Sequence, residues 1–227
     1  MAPLASEGSG YLAHPYYPPG LAMPNYAPNT MSLVTIFQYF LGALGAYLIS
    51  GYVTVGLVRP QFSSARFSDK ALFLWFFMCG GLHWFFEGYF VLNHATLAGS
   101  QSVRAQLWKE YALSDSRYLT SDPFMLCVEG LTVVVHGSLC YLTAVTIVKD
   151  AGSPTGNSGV RHVLQMLVST LHLFGVLLYY GTLLFQESLQ GTSHCRPEFL
   201  YRWVYFVGMN APWVVVPLLA SLDISLY

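Results

Sequence analysis

The stretch Ala71-Leu-Phe-Leu-Trp-Phe-Phe-Met-Cys-Gly-Gly-Leu-His83-Trp-Phe-Phe-Glu87-Gly-Tyr-Phe-Val-Leu-Asn-His-Ala95 decides how this chain folds. A helix needs about 20 mostly apolar residues to cross a bilayer, and this stretch supplies them. It also holds Glu87, the one acid in an otherwise uncharged run from Ala71 to Val103, with His83 one helical turn earlier. Ionisable side chains are expensive in hydrocarbon; where they occur they face a bundle interior and mark a functional site. The stretch therefore reads as a spanning helix with chemistry on its inner face.

Four further apolar segments flank it: Met31–Val58, Asp122–Val148, Arg161–Phe185 and Leu200–Leu222. The chain is 54% hydrophobic and only 9% charged, against about 25% charged residues in soluble domains. These features predict an all-α, polytopic membrane protein with five transmembrane helices in one bundle spanning residues 31–223. Ten-residue windows of strand alternation are absent, which argues against a β-barrel. Residues 1–30 are rich in Pro, Tyr and Gly and lack the basic start and apolar core of a signal peptide. They are expected to form an irregular segment at the membrane surface. The net charge is −1 with no basic run, so nucleic acid is not an expected partner. Cys79, Cys127, Cys140 and Cys195 show no C-x-x-C spacing and read as packing residues. Arg59, Arg66 and Lys70 follow the first span and no basic residue precedes it, which places the N-terminus away from the cytoplasm. Gly42, Gly45 and Gly51 on that span would allow close packing of a second copy, hence a homodimer.

The polar residues inside the spans share a depth. At ~1.5 Å per residue, Glu87 and Glu129 lie roughly 10–12 Å from one membrane face. On the same scale His83, Asn210 and Trp213 lie about 15–20 Å in, and His136 and His172 about 20 Å. Four helices thus bring polar groups to one slab. His83 and Glu87, at i,i+4, share a helix face, where a carboxylate would fix the imidazole tautomer. Glu129, Thr132 at i+3 and His136 at i+7 share another. A neutral buried carboxyl is a proton donor and an oriented imidazole an acceptor, the two partners that acid–base catalysis needs. The structural alternative is a hydrogen bond stitching helices together, with Glu129 paired to His83. His83, Glu87, Glu129, His136 and His172 offer N and O ligands, but no H-E-x-x-H is present, and no metal or other cofactor is expected. Asn210 and Trp213, at i,i+3, suit a hydroxyl and a cation respectively, since Trp is the strongest aromatic partner for positive charge. Between the second and third spans, Trp108, Tyr111 and Tyr118 either roof a pocket or belong to an amphipathic helix at the interface.

These residues carry a resemblance. His14-Pro-Tyr, Cys79-Gly-Gly-Leu-His-Trp-Phe-Phe-Glu-Gly-Tyr-Phe-Val-Leu, Leu107-Trp-Lys-Glu-Tyr, Asp115-Ser-Arg-Tyr, Glu129-Gly-Leu-Thr and Tyr205-Phe-Val-Gly-Met-Asn-Ala-Pro-Trp run in family order over nearly the whole chain. In them the sequence resembles the emopamil-binding protein (EXPERA) family, the sterol Δ8–Δ7 isomerases. The resemblance implies a five-helix protein of the endoplasmic reticulum membrane that protonates a Δ8 alkene, passes through a tertiary carbocation and removes a neighbouring proton. It needs neither a redox cofactor nor a metal. It would make His83, Glu87 and Glu129 the catalytic residues, with Trp213 facing the cation and Thr132 and Asn210 lining the site. Two positions depart from the pattern: His136, where no histidine is expected, and His172, where Gln is common. They leave open a different terpenoid substrate, isomerised or cyclised through a similar cation. A non-catalytic sterol- or drug-binding membrane protein is the third reading. Glu129→Gln separates enzyme from binder: an enzyme loses turnover by orders of magnitude in a sterol conversion assay, whereas a binder keeps its ligand affinity.

Overall fold

The structure is a computed structural model that describes residues 13–151 and 159–225; residues 1–12 of the expected irregular segment lie outside them. Five helices are long and apolar enough to cross a membrane: α1 (Leu33–Val58), α2 (Phe67–Asn93), α4 (Pro123–Asp150), α5 (Gly159–Gln190) and α6 (Leu200–Leu222). A short helix, α3 (Val103–Tyr111), lies between α2 and α4. No strand occurs among the described residues. The protein is an all-helical, multi-pass membrane protein.

Local chemistry sets the helix ends. The Ser32 hydroxyl accepts from the Thr35 amide, Ser102 from Ala105 and Asp122 from Met125, each satisfying an amide that the first turn leaves open. Pro123 follows its cap at the first helical position, where no N–H is needed. α5 runs to Gln190 rather than the expected Phe185. Hydropathy drops at Gln186, but helical hydrogen bonds continue until Gly191, whose φ of +67° turns the chain out of the helix.

α2 packs along α4, and α5 packs against α4 and α6. α2 and α4 approach closely at Gly137, where a Cβ would stand 2.5 Å from Trp84 Cδ1 and 3.2 Å from His83 Cβ. α1 stands apart: Ile36 is its one buried residue, and Val34, Ile49, Val53, Leu57 and Val58 are exposed, as suits a helix facing lipid. Gly51 is not available to a second copy, since a Cβ there would meet Phe77 Cε1 at 2.2 Å inside the same chain; Gly42 and Gly45 have nothing within 4 Å.

The segment from His94 to Asp122 folds inward over one end of the bundle. Ala105, Gln106, Leu107, Trp108 and Lys109 of α3 are all buried, so α3 is not an amphipathic helix lying at the interface. Residues 13–31 strap across it. Tyr16 donates to the Lys109 carbonyl (3.0 Å), Lys109 Nζ donates to the Ala27 carbonyl (2.7 Å), and Gln106 Oε1 accepts from the Met31 amide (2.9 Å). Beside it, Arg117 grips Asp115 with two nitrogens and donates to Thr182 of α5 (3.0 Å). Breaking such a buried pair from one side costs about 3–5 kcal/mol, because the surviving charge is left without a partner.

Burial lowers the Lys109 ammonium from its ordinary 10.5 to about 8. Between those values the unfolded chain holds a proton that the folded chain has released, so folding gains stability as pH rises through this window. Thermal melts of the detergent-solubilised protein are expected to move in favour of the native chain, relative to Lys109→Met, between pH 7.5 and pH 9.5.

Candidate active site

Two wide turns build the site. In α2 the Gly88 amide bonds the His83 carbonyl, and in α4 the Gly137 amide bonds the Thr132 carbonyl, five residues back rather than four. Such π turns are rare and gather at functional sites. Here they face each other where α2 meets α4, with His83 and Glu87 in one, and Thr132 and His136 in the other. α6 opens with a third wide turn over Leu200–Gly208, and its regular helix resumes at Pro212. That break covers residues 209–211, so it contains Asn210 and ends two residues before Trp213.

The polar side chains form one continuous hydrogen-bonded chain. Tyr118 donates to Glu129 Oε1 (2.7 Å); Glu129 Oε2 lies 3.2 Å from Thr132 Oγ1; Thr132 Oγ1 lies 2.6 Å from Glu87 Oε2; and Glu87 Oε2 lies 2.7 Å from His83 Nδ1. Glu129 therefore pairs with Tyr118 and Thr132, and not with His83. The Thr132 hydroxyl has one proton to give and faces three oxygens, the two carboxyls and the Glu129 backbone carbonyl at 2.8 Å. All members are satisfied when Glu129 is a neutral acid donating to Thr132, and Thr132 donates to an ionised Glu87. At its far end His83 Nε2 meets His172 Nε2 at 3.2 Å. The His136 ring stands 5.9 Å from both the His83 and His172 rings, so the nitrogens of these three histidines could hold a metal ion.

This chain borders a cavity of about 440 Å³, within the usual range of small-molecule sites. All eleven residues singled out from the sequence line it: His83, Glu87, Trp108, Tyr111, Tyr118, Glu129, Thr132, His136, His172, Asn210 and Trp213. The aromatic lid is locked from above. Trp108 stacks on Phe86 (4.2 Å between centroids) and donates to its carbonyl (3.1 Å), while Asn210 donates to Tyr111 (3.0 Å). Trp213 packs at an angle on Trp75, 5.5 Å away, at the end of the cavity where the histidines gather. Phe37, Phe40, Leu41 and Leu44 of α1 close one wall. Sequence reasoning gave no role to Tyr179 or Glu110 and read Cys140 as a packing residue. Tyr179 and Glu110 also line the cavity, Glu110 accepting from Tyr205 (3.1 Å), and Cys140 Sγ lies 3.7 Å from His172 Nε2. Glu110 had a signal, since it sits in the quoted Trp-Lys-Glu-Tyr run. Tyr179 and Cys140 had none, because each sits among apolar residues of a span.

Residues 103–224 match the EXPERA (EXPanded EBP superfamily) family. The chain is 33% identical over 219 residues to the 3-beta-hydroxysteroid-Delta(8),Delta(7)-isomerase of Cavia porcellus, covering 94% of this chain and 88% of that protein. This chain belongs to the EXPERA family. Within it, a probable 3-beta-hydroxysteroid-Delta(8),Delta(7)-isomerase of Arabidopsis thaliana is 34% identical over 92% of this chain and 86% of its own length. An isomeliandiol synthase of Ailanthus altissima is 30% identical over 88% of this chain and 85% of its own. The EXPERA match begins at the first residue of α3, so the lid and the last three spans all lie inside it.

Thr132→Val keeps the shape and removes the hydroxyl that links the two carboxyls. Turnover is expected to fall by roughly 10²-fold or more, in the range of lost acid–base catalysis, with Thr132→Ser recovering most of it in the same conversion assay.

Proposed function

We propose that this chain is a membrane isomerase that moves a sterol double bond from Δ8 to Δ7, working in the endoplasmic reticulum membrane. The observation that carries the reading is the unbroken hydrogen-bonded path from Tyr118 through Glu129, Thr132 and Glu87 to His83 along the wall of an apolar cavity. The Δ8–Δ7 isomerases among its relatives support the substrate.

In this mechanism Glu129, the neutral acid, gives its proton to C9 of the C8=C9 alkene. The bond's electron pair forms the new C9–H bond and leaves a tertiary cation at C8. The Trp213 ring face stabilises that charge, an effect worth about 2 kcal/mol or more in a desolvated site. His83, oriented by Glu87, takes the proton from C7, and the C7–H electrons close the C7=C8 bond. A proton then passes from His83 Nδ1 through Glu87 and Thr132 to Glu129, and the imidazole proton returns from Nε2 to Nδ1 to reset the base, so the proton count is restored and no redox partner is needed. Tyr118 holds Glu129 in place, and Asn210 with Tyr111 forms the polar part of the lid.

A second reading keeps the site and changes the substrate: isomerisation or cyclisation of another terpenoid. The isomeliandiol synthases of Melia azedarach and Ailanthus altissima favour it, as does the presence of His136 and His172 in the cavity. Expression in a yeast strain lacking its own Δ8–Δ7 isomerase, followed by sterol mass spectrometry, distinguishes the two. Restored Δ7-sterols, lost again with Glu129→Gln, support the sterol reading; persistent Δ8-sterols despite membrane expression favour the other terpenoid. In heavy water the Δ7 product is expected to carry one deuterium at C9, read by NMR, because the donated proton comes from an exchangeable carboxyl.

A further inference from the structure

We propose that His83, His136, His172 and Cys140 form a four-ligand site, three nitrogens and one sulfur, for a zinc-class divalent cation at the deep end of the cavity. The ligand nitrogens of the three histidines lie within 4.8 Å of one another. Tetrahedral zinc, with Zn–N of about 2.05 Å and Zn–S of about 2.3 Å, sets its ligand nitrogens about 3.3 Å apart and nitrogen and sulfur about 3.6 Å apart. His83 Nε2 and His172 Nε2 are 3.2 Å apart, and Cys140 Sγ is 3.7 Å from His172 Nε2. The His83–His172 and His172–Cys140 pairs therefore already stand at the spacing the ion requires, and the histidine nitrogens, all within 4.8 Å of one another, have at most about 1.5 Å to close. An N–H···N bond accounts for the His83–His172 contact alone. It does not account for a third imidazole nitrogen within 4.8 Å of both, or for the thiol beside His172 Nε2.

The surroundings complete the site. Glu87 holds His83 Nδ1 at 2.7 Å and so leaves Nε2 free to ligate, the usual outer-shell partner of a zinc histidine. His172 Nδ1 is buried without a hydrogen-bond partner, so the hydrogen bonds of that ring run through Nε2, the nitrogen that would ligate. Cys140, His83 and His172 are all buried, where a net charge is costly. The double positive charge of the ion is balanced by the Cys140 thiolate and the Glu87 carboxylate, with one thiol proton released per ion bound. Imidazole and thiolate select zinc-class metals over magnesium or calcium, which take oxygen. Four ligands fill the tetrahedron, so the ion has no open position for substrate. It instead occupies His83 Nε2, and, resting on the isomerase reading above, its binding and proton abstraction by His83 exclude each other.

Titration of the chelator-stripped, detergent-purified full chain with Co2+ tests the site. One equivalent is expected to give the intense visible bands of a four-coordinate ion with a near-ultraviolet thiolate band, both erased by Zn2+. His136→Gln and His172→Gln should each weaken binding by more than about tenfold, and Cys140→Ser should remove the thiolate band. A native chain that gives no four-coordinate spectrum overturns the proposal, as does a spectrum that survives both histidine substitutions. Isomerase assays with Zn2+ form a separate arm. Inhibition reversed by EDTA supports the exclusion of substrate turnover, and full turnover by the Co2+-loaded protein overturns it. A chain that converts no Δ8-sterol at all counts against the isomerase reading, while the cobalt spectrum still decides the metal site.

Discussion

A carboxyl inside the hydrocarbon has no water to fall back on, so each of its oxygens must find a partner within the protein. Glu129 meets this demand through both oxygens, bonded to Tyr118 and Thr132, and Glu87 through Oε2, which Thr132 and His83 share. Neither is satisfied alone; each depends on the Thr132 hydroxyl between them, with Tyr118 and His83 closing the two ends. Much of the architecture follows from holding five side chains from three segments in register. The facing wide turns of α2 and α4, the close approach at Gly137 and the inward-folded lid that brings Tyr118 down onto Glu129 all serve that line of contacts. Losing any one member leaves a buried polar group unpaired, at about 1–3 kcal/mol, more than a surface hydrogen bond contributes.

The lid has its own foundation. Its polar groups lie between the strap of residues 13–31 on one side and the bundle on the other, so Lys109, Gln106 and Arg117 are buried yet bonded. This arrangement explains why the connection between α2 and α4 is charged but not solvated. It also holds Trp108 and Tyr111 over the cavity as an aromatic roof.

Some of this is legible in the sequence, and the reasons are physical. Glu87, Glu129 and His83 stand out because an ionisable group against an apolar background has few explanations. The five spans follow from length and composition alone; their polar ends do not, as at Gln190, because a helix continues past the edge of the oil. The inward burial of α3 is not legible, since a sequence of alternating aromatic and charged residues suits a membrane surface equally well. The wide turns leave no local signature, because a π turn is chosen by the contacts of the whole helix pair. Tyr179 and Cys140 are invisible for a related reason: inside a span an uncharged residue facing the cavity looks the same as one facing lipid.

The first helix buries a single residue while four of its side chains wall the cavity. The cavity is therefore bounded on that side by a helix that the bilayer itself surrounds. For a substrate dissolved in lipid, the concentration that governs occupancy is its mole fraction in the membrane, and the water on either side hardly enters. An apparent KM expressed per volume of buffer will then rise in proportion to the lipid or detergent added, although the affinity of the protein has not changed. Surface dilution, at constant total substrate, behaves in such a system as a competitive effect without a competitor.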